Sequence, residues 1–198
     1  MQYQEKKFNL QGIDGLSERQ ISEHLKLYAG YVKNCNLLWS EIVNLEKELD
    51  KNALYISELQ RRFGFEFNGM RLHEYYFESL GSPSPIPTTS PLKNSLASQY
   101  GSFDNWLTYF KKAGLMRGIG WVILYYDPMV GALHNTWVSD HEIGHLAGLP
   151  IILAMDVWEH AYLIDYAPSG RKDYIEVYIK NLNWTLIEER YKIATHGK

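Results

Sequence analysis

The chain has 198 residues, a net charge of −3, seven His and a single Cys, and it is 45% hydrophobic and 14% aromatic. That length fits one domain, or two small packed halves, with enough core to fold without staples; the lone Cys35 excludes an intramolecular disulfide framework and points to a reducing compartment. The acidic balance excludes a general nucleic-acid footprint, the apolar content excludes disorder, and neither a signal-like start nor an apolar run of about 18 residues is present, so a soluble cytoplasmic protein without nucleic-acid or membrane partners is expected.

From Ser17 to about Leu49 the apolar positions Ile21, Leu25, Tyr28, Val32, Leu38 and Leu45 recur mostly at three- and four-residue spacings, which predicts an amphipathic helix. Ser17 is its candidate N-cap, with Gln20 completing a capping-box pattern after an Asp14-Gly15 turn. A second helix is expected from about Asn52 to Leu80, weakened at Gly64 and Gly69. The short Asp50-Lys51-Asn52 link makes the pair an antiparallel hairpin. Gly81 to Pro91 holds four of the seven prolines and reads as a linker.

Beyond the linker, Leu92–Tyr100 and Asp104–Ala113 read as short helices, the latter capped by Ser102 or Asp104. Gly120–Tyr126, Ala132–Val138 and Ile151–Met155 are β-rich, with Asp127-Pro128 and Gly131 as the first turn. Helical periodicity resumes after Asp156 and continues, broken near Pro168-Ser169-Gly170, to the end. The expected class is α+β: residues 1–90 as an N-terminal helical hairpin domain, and 91–198 as a C-terminal α/β domain with about three strands.

The stretch most suggestive of chemistry is Asp156-Val157-Trp158-Glu159-His160, where an apolar strand ends. A carboxylate and an imidazole four residues apart at such a corner can clasp one metal ion; the simpler alternative makes Asp156 a helix N-cap and His160 a buried polar residue. His73 lies in an apolar, aromatic helical stretch, as either a hydrogen-bonded core residue or a ligand. His24 and Tyr31 stand seven residues apart, about 20° on a helical wheel, so one face offers an imidazole and a phenol. Three imidazoles and one carboxylate would suit iron, manganese or zinc, and spacing alone does not choose among them.

Asp156-Val157-Trp158-Glu159-His160-Ala161-Tyr162 strongly resembles the signature of the iron/manganese superoxide dismutase family, in which the Asp and the His are both metal ligands. His24 followed by Tyr31-Val32-Lys33-Asn34, His73 before aromatics, Tyr100-Gly101-Ser102-Phe103, Gly118-Ile119-Gly120-Trp121, Arg171-Lys172-Asp173-Tyr174 and Asn183-Trp184 follow in the family's order. The resemblance implies a helical N-terminal half and an α/β C-terminal half with a three-stranded antiparallel sheet. It also implies one Fe or Mn ion per subunit, between the halves, held by His24, His73, Asp156, His160 and solvent. The implied activity is disproportionation of superoxide to dioxygen and hydrogen peroxide, an antioxidant function. Tyr31 matches the family's gateway tyrosine, Trp121 and Trp158 match aromatics that wall the site, and Arg171 would attract the anionic substrate.

Four positions depart from the family pattern. The usual spacing to the gateway tyrosine selects Glu23, whereas the helical wheel favours His24. Gly69 stands where iron-type members often carry an outer-sphere Gln, so that role passes to His141, with His145 as the alternative. Leu27 and Leu163 replace an interfacial His and Tyr. A homodimer or tetramer is still implied, with Glu159 and His160 at the subunit contact. Rival functions are a non-haem iron oxygenase and a dismutase-like structural protein that kept the fold and lost the site.

Overall fold

The structure, a computed structural model, describes residues 2–196. Its first half is a hairpin of two long helices, α1 (Glu18–Leu45) and α2 (Leu49–Ser79), joined by a single 3-10 turn, Glu46–Glu48. Ser17 caps α1 by accepting from the Gln20 amide at 3.0 Å. The Gln20 side chain does not return to Ser17 as a capping box would. It is buried, donates to the His160 carbonyl at 2.7 Å and accepts from the Ile164 amide at 3.0 Å. The turn also differs from expectation, because Asp50, Lys51 and Asn52 already lie inside α2. The helices run antiparallel: Tyr28 meets Glu74 at 3.2 Å while Asn34 meets Glu66 at 3.2 Å. Helix α2 continues through Gly64 and Gly69, and at Gly69 the missing side chain is what lets Tyr31 of α1 approach; a Cβ there would stand 2.7 Å from the Tyr31 ring.

The proline-rich stretch is more tied down than a linker. Leu80 bridges Leu182, Ser84 bridges Asn183, and the Ser82 amide bonds the Gln11 carbonyl at 2.8 Å. Ser90 then caps α3 (Pro91–Tyr100), accepting from the Lys93 amide at 2.9 Å, with Pro91 at the first helical position, where its missing N–H leaves no orphan donor. The Ser90 hydroxyl also bonds the buried Glu188 carboxylate of α6 (Trp184–His196). Helix α4 (Phe103–Gly114) takes Ser102 rather than Asp104 as its cap.

Three antiparallel strands follow, β1 (Gly120–Asp127), β2 (Ala132–Ser139) and β3 (Ile151–Asp156), in the spatial order β2-β1-β3. Central β1 is covered on both faces, and Trp121, Val122, Ile123 and Leu124 are fully buried, so it reads as a continuous apolar run. Its register sets Trp121 against Asp156 on one side and Val138 on the other, which brings a tryptophan, a carboxylate and the end of β2 to one edge. Helices α2 and α6 pack on β3. These elements make the fold α+β, a helical hairpin followed by an α/β part around a three-stranded antiparallel sheet.

Directly after Asp156 the expected helix is absent. Asp156 Oδ1 accepts from the Trp158 amide at 2.8 Å, an Asx turn that ends the strand and halts helix propagation. Only the 3-10 turn Glu159–Ala161 and tight turns to Tyr166 follow, and α5 (Arg171–Lys180) begins after the 3-10 turn Pro168–Gly170.

Candidate metal centre

Four side chains from four elements converge on one point. His24 comes from α1, His73 from α2, Asp156 from the end of β3 and His160 from the 3-10 turn, and one ligand atom of each lies within 4.8 Å of all the others. The Nε2 atoms of His24, His160 and His73 stand 3.1, 3.2 and 3.7 Å from Asp156 Oδ2. Donors each about 2.1 Å from a common ion, at angles of roughly 90–120°, stand about 3.0–3.6 Å apart, so these spacings suit a shared cation.

Local hydrogen bonds aim the four groups. His73 Nδ1 lies 2.6 Å from the Gly69 carbonyl, which can only accept, so the proton sits on Nδ1 and the Nε2 lone pair faces the cluster. That Nε2 is buried and has no hydrogen-bond partner among the described residues. A buried imidazole nitrogen left bare costs free energy unless something electrophilic sits before it, and a metal ion supplies that partner. Asp156 is held at both ends. Its Oδ1 is engaged by Trp158, leaving Oδ2 to the imidazoles, and its carbonyl accepts from the Tyr174 hydroxyl at 2.8 Å. Burial pushes the His24 and His73 imidazoles below their ordinary range, His73 the further. Burial alone would push the Asp156 carboxyl up, but attraction to His160 and the contacts with His160 and His24 outweigh it and keep the group ionised.

Aromatic rings enclose the cluster. Trp121 meets His73 edge to face with centroids 5.1 Å apart, Trp158 stacks on His160 at 5.4 Å, Tyr31 lies 5.1 Å from His73 and Phe77 4.9 Å from His24. Beyond Tyr31 a directed chain begins. Trp121 Nε1–H donates to His141 Nδ1 at 2.9 Å, and His141 Nε2 lies 2.8 Å from the Tyr31 hydroxyl. An indole N–H can only donate, so His141 carries its proton on Nε2 and gives it to Tyr31 Oη, leaving the Tyr31 hydroxyl proton free of His141. Burial holds His141 neutral, lowering its pKa to about 4, and raises that of Tyr31.

The remaining sequence candidates separate clearly. Glu23 points outward and pairs with Lys26 at 2.7 Å, so α1 presents His24, not Glu23, to the cluster. His145 bonds Tyr125 and the His141 carbonyl rather than the Tyr31 hydroxyl. Glu159 is exposed. Arg171 donates from Nη1 to the Gly118 carbonyl at 2.9 Å, while its buried Nε and Nη2 have no partner among the described residues. Leu27 and Leu163 are exposed. Sequence reasoning missed Gln20 as the anchor of His160, having assigned it to the cap, and had Tyr174 only as part of a matching stretch; neither has a local signal, because each acts on a residue far away in the chain.

Comparison with known proteins places this geometry. Residues 88–190 match the family described as iron/manganese superoxide dismutases, C-terminal domain. An iron superoxide dismutase of Cupriavidus metallidurans is 33% identical over 185 residues, covering 92% of this chain and 91% of that protein. One from Saccharolobus solfataricus is 33% identical over 168 residues, covering 82% and 79%. A manganese superoxide dismutase of Halobacterium salinarum is 33% identical over 123 residues, covering 62% and 60%.

Proposed function

This chain belongs to the iron/manganese superoxide dismutase family, and from that premise we propose that it disproportionates superoxide at a mononuclear Fe or Mn centre held by His24, His73, Asp156 and His160. The observation that carries the reading is the bare, buried Nε2 of His73 facing three further ligand atoms. Bound there, iron or manganese would supply the one-electron redox chemistry that converts superoxide to dioxygen and hydrogen peroxide.

The chain's own residues do the rest. Three neutral imidazoles and one carboxylate would offset only part of the charge of a bound cation, which would leave the centre suited to an anionic substrate. Hydrogen peroxide needs two protons, and Tyr31 is placed to give one: its hydroxyl receives the His141 Nε2–H and keeps its own proton free. Its raised pKa keeps that proton in place until it is used. His141 orients Tyr31 and tunes the centre from outside the ligand set. Trp121 and Trp158 exclude water and larger molecules, and Arg171 draws in the anion.

The oxygenase alternative needs room for an organic co-substrate. The ligand imidazoles are instead walled by the rings of Phe77, Tyr31, Trp121 and Trp158, whose centroids lie 4.9–5.4 Å from them. The structural-protein alternative does not explain four complete ligand groups aimed at one point.

The residue-90 boundary of the two halves, a homodimer joined near Glu159 and His160, and a cytoplasmic location complete the proposal. The exposed Leu163 and Ile164 beside that turn support the dimer, and the single buried Cys35 agrees with a reducing compartment. No helix among the described residues is long and apolar enough to cross a membrane. Sedimentation and cell fractionation test the assembly and the location. The function is tested on protein loaded with iron or manganese: it should remove superoxide, and His160→Ala should lose both metal and activity. Undiminished activity in that variant would overturn the assignment, and metal analysis of purified protein tells which ion is held.

A further inference from the structure

His141 sits on the segment 140–150, which is irregular, and sites on loops are held less firmly than sites on strands or helices. The loop opens at Asp140 with a φ of 52°, an uncommon conformation for a residue with a side chain. Four residues on, the chain passes so close to β2 that a Cβ on Gly144, at φ 114°, would lie 2.3 Å from the Trp137 carbonyl oxygen. That close passage turns His145 back over His141. His145 Nε2 lies 3.0 Å from the His141 carbonyl oxygen, and His145 Nδ1 lies 2.8 Å from the hydroxyl of Tyr125. Because a carbonyl can only accept, His145 carries a proton on Nε2 and donates it there. Tyr125 is buried on the central strand β1, paired with His134 of β2 and, just past a register shift, with Ile151 of β3, so strands on both sides hold it.

We propose that Tyr125 and His145 are positioning residues that clamp the backbone of His141, and so hold its imidazole between Trp121 and the Tyr31 hydroxyl. The proposal rests on the role assigned to His141 and Tyr31 above. His145 touches neither the ligands nor Tyr31, so it acts only through His141. The clamp adds what Trp121 lacks: Trp121 sets which ring nitrogen of His141 bears the proton, whereas His145 sets where the ring stands.

The test uses the full-length chain loaded with zinc, which is diamagnetic, and follows the His141 Nε2–H by nitrogen-15 NMR. That proton belongs to a fully buried residue and should exchange slowly in the unmodified protein. In His145→Ala its exchange should accelerate by about tenfold, as expected when one hydrogen bond is withdrawn from a local opening equilibrium. His145→Gln, whose amide can still donate to the His141 carbonyl, should restore it to within about twofold, and Tyr125→Phe should fall between. A generally loosened fold would not be rescued by Gln. Unchanged exchange in His145→Ala, or a His141 proton found on Nδ1, overturns the proposal. Slow, clamp-dependent exchange in a chain that removes no superoxide with iron or manganese would instead overturn the functional reading and leave the clamp standing.

Discussion

Gly69→Ala separates the contribution of one helix position from that of the Tyr31 packing it permits. In a helix interior, Gly to Ala is favourable by about 1 kcal/mol. At Gly64 and Gly30 an added Cβ meets nothing within 4 Å, so Gly64→Ala and Gly30→Ala should each stabilise by about 0.5–1 kcal/mol. At Gly69 the same methyl would stand 2.7, 2.8 and 3.1 Å from Cδ1, Cε1 and Cγ of Tyr31. Carbon atoms settle at about 3.5–4.0 Å, so the ring must withdraw by about 1 Å, and its root at Cγ has little freedom. Such overpacking costs about 1–3 kcal/mol, which makes Gly69→Ala neutral to about 2 kcal/mol destabilising. Its contrast with the two controls is then about 1–3 kcal/mol. The same shift lengthens the 2.8 Å contact between Tyr31 and His141 beyond hydrogen-bond range. Activity of the loaded protein should therefore fall by about tenfold, less than the full loss of a positioned proton donor. Urea unfolding of the three variants and superoxide removal by each are the assays. If Gly69→Ala proves as stabilising and as active as Gly64→Ala, the close Tyr31 packing and the chain built on it are refuted.

Exchanging the two adjacent candidates on α1 should give opposite results: Glu23→Ala keeps its metal and activity, since its carboxylate serves only Lys26, whereas His24→Ala loses metal on elemental analysis. Glu78, which meets Lys6 Nζ at 2.7 Å and Arg190 Nη2 at 2.8 Å, has opposing influences on its carboxyl; burial pushes its pKa up, but those cations more than offset this and hold it below the ordinary 4.5. A carboxyl with a depressed folded pKa contributes stability that is complete above the ordinary value and lost as pH falls through the folded one. Urea midpoints of Glu78→Gln should thus lie below those of the unmodified protein near neutrality and converge with them in acid. Cys35 is buried, and burial pushes its thiol up to about 12. A thiol reagent should label it only at the rate of unfolding, and rapid labelling of the native protein would show that the core between α1 and α2 opens.

Much of the framework is written locally. Ser17 and Ser102 announce helix starts because a cap acts on amides within three residues, and the strands show themselves through short apolar, β-branched runs bounded by turn residues. The same local logic misplaced the segment after Asp156. Its apolar spacing suits a helix, but one side-chain oxygen on the Trp158 amide redirects the backbone, and periodicity does not register a single competing hydrogen bond.

The centre itself was legible as a set of residue types and as a family signature, with Asp156 and His160 close enough in the chain to suggest a clasp. Which of seven histidines meet is a different matter. His24 reaches Asp156 across 132 positions, and only the register of β1 against β3 and the antiparallel packing of α1 on α2 bring them together. Helical phase favours His24 over Glu23, but burial against α2 is what turns His24 to the cluster and leaves Glu23 with Lys26. The choice between His141 and His145 was likewise open in the sequence, because loop positions carry no periodicity. Side-chain type and short-range spacing are properties of the chain alone; convergence depends on packing between distant segments, and that is where the donors, their tautomers and the clamp on His141 were decided.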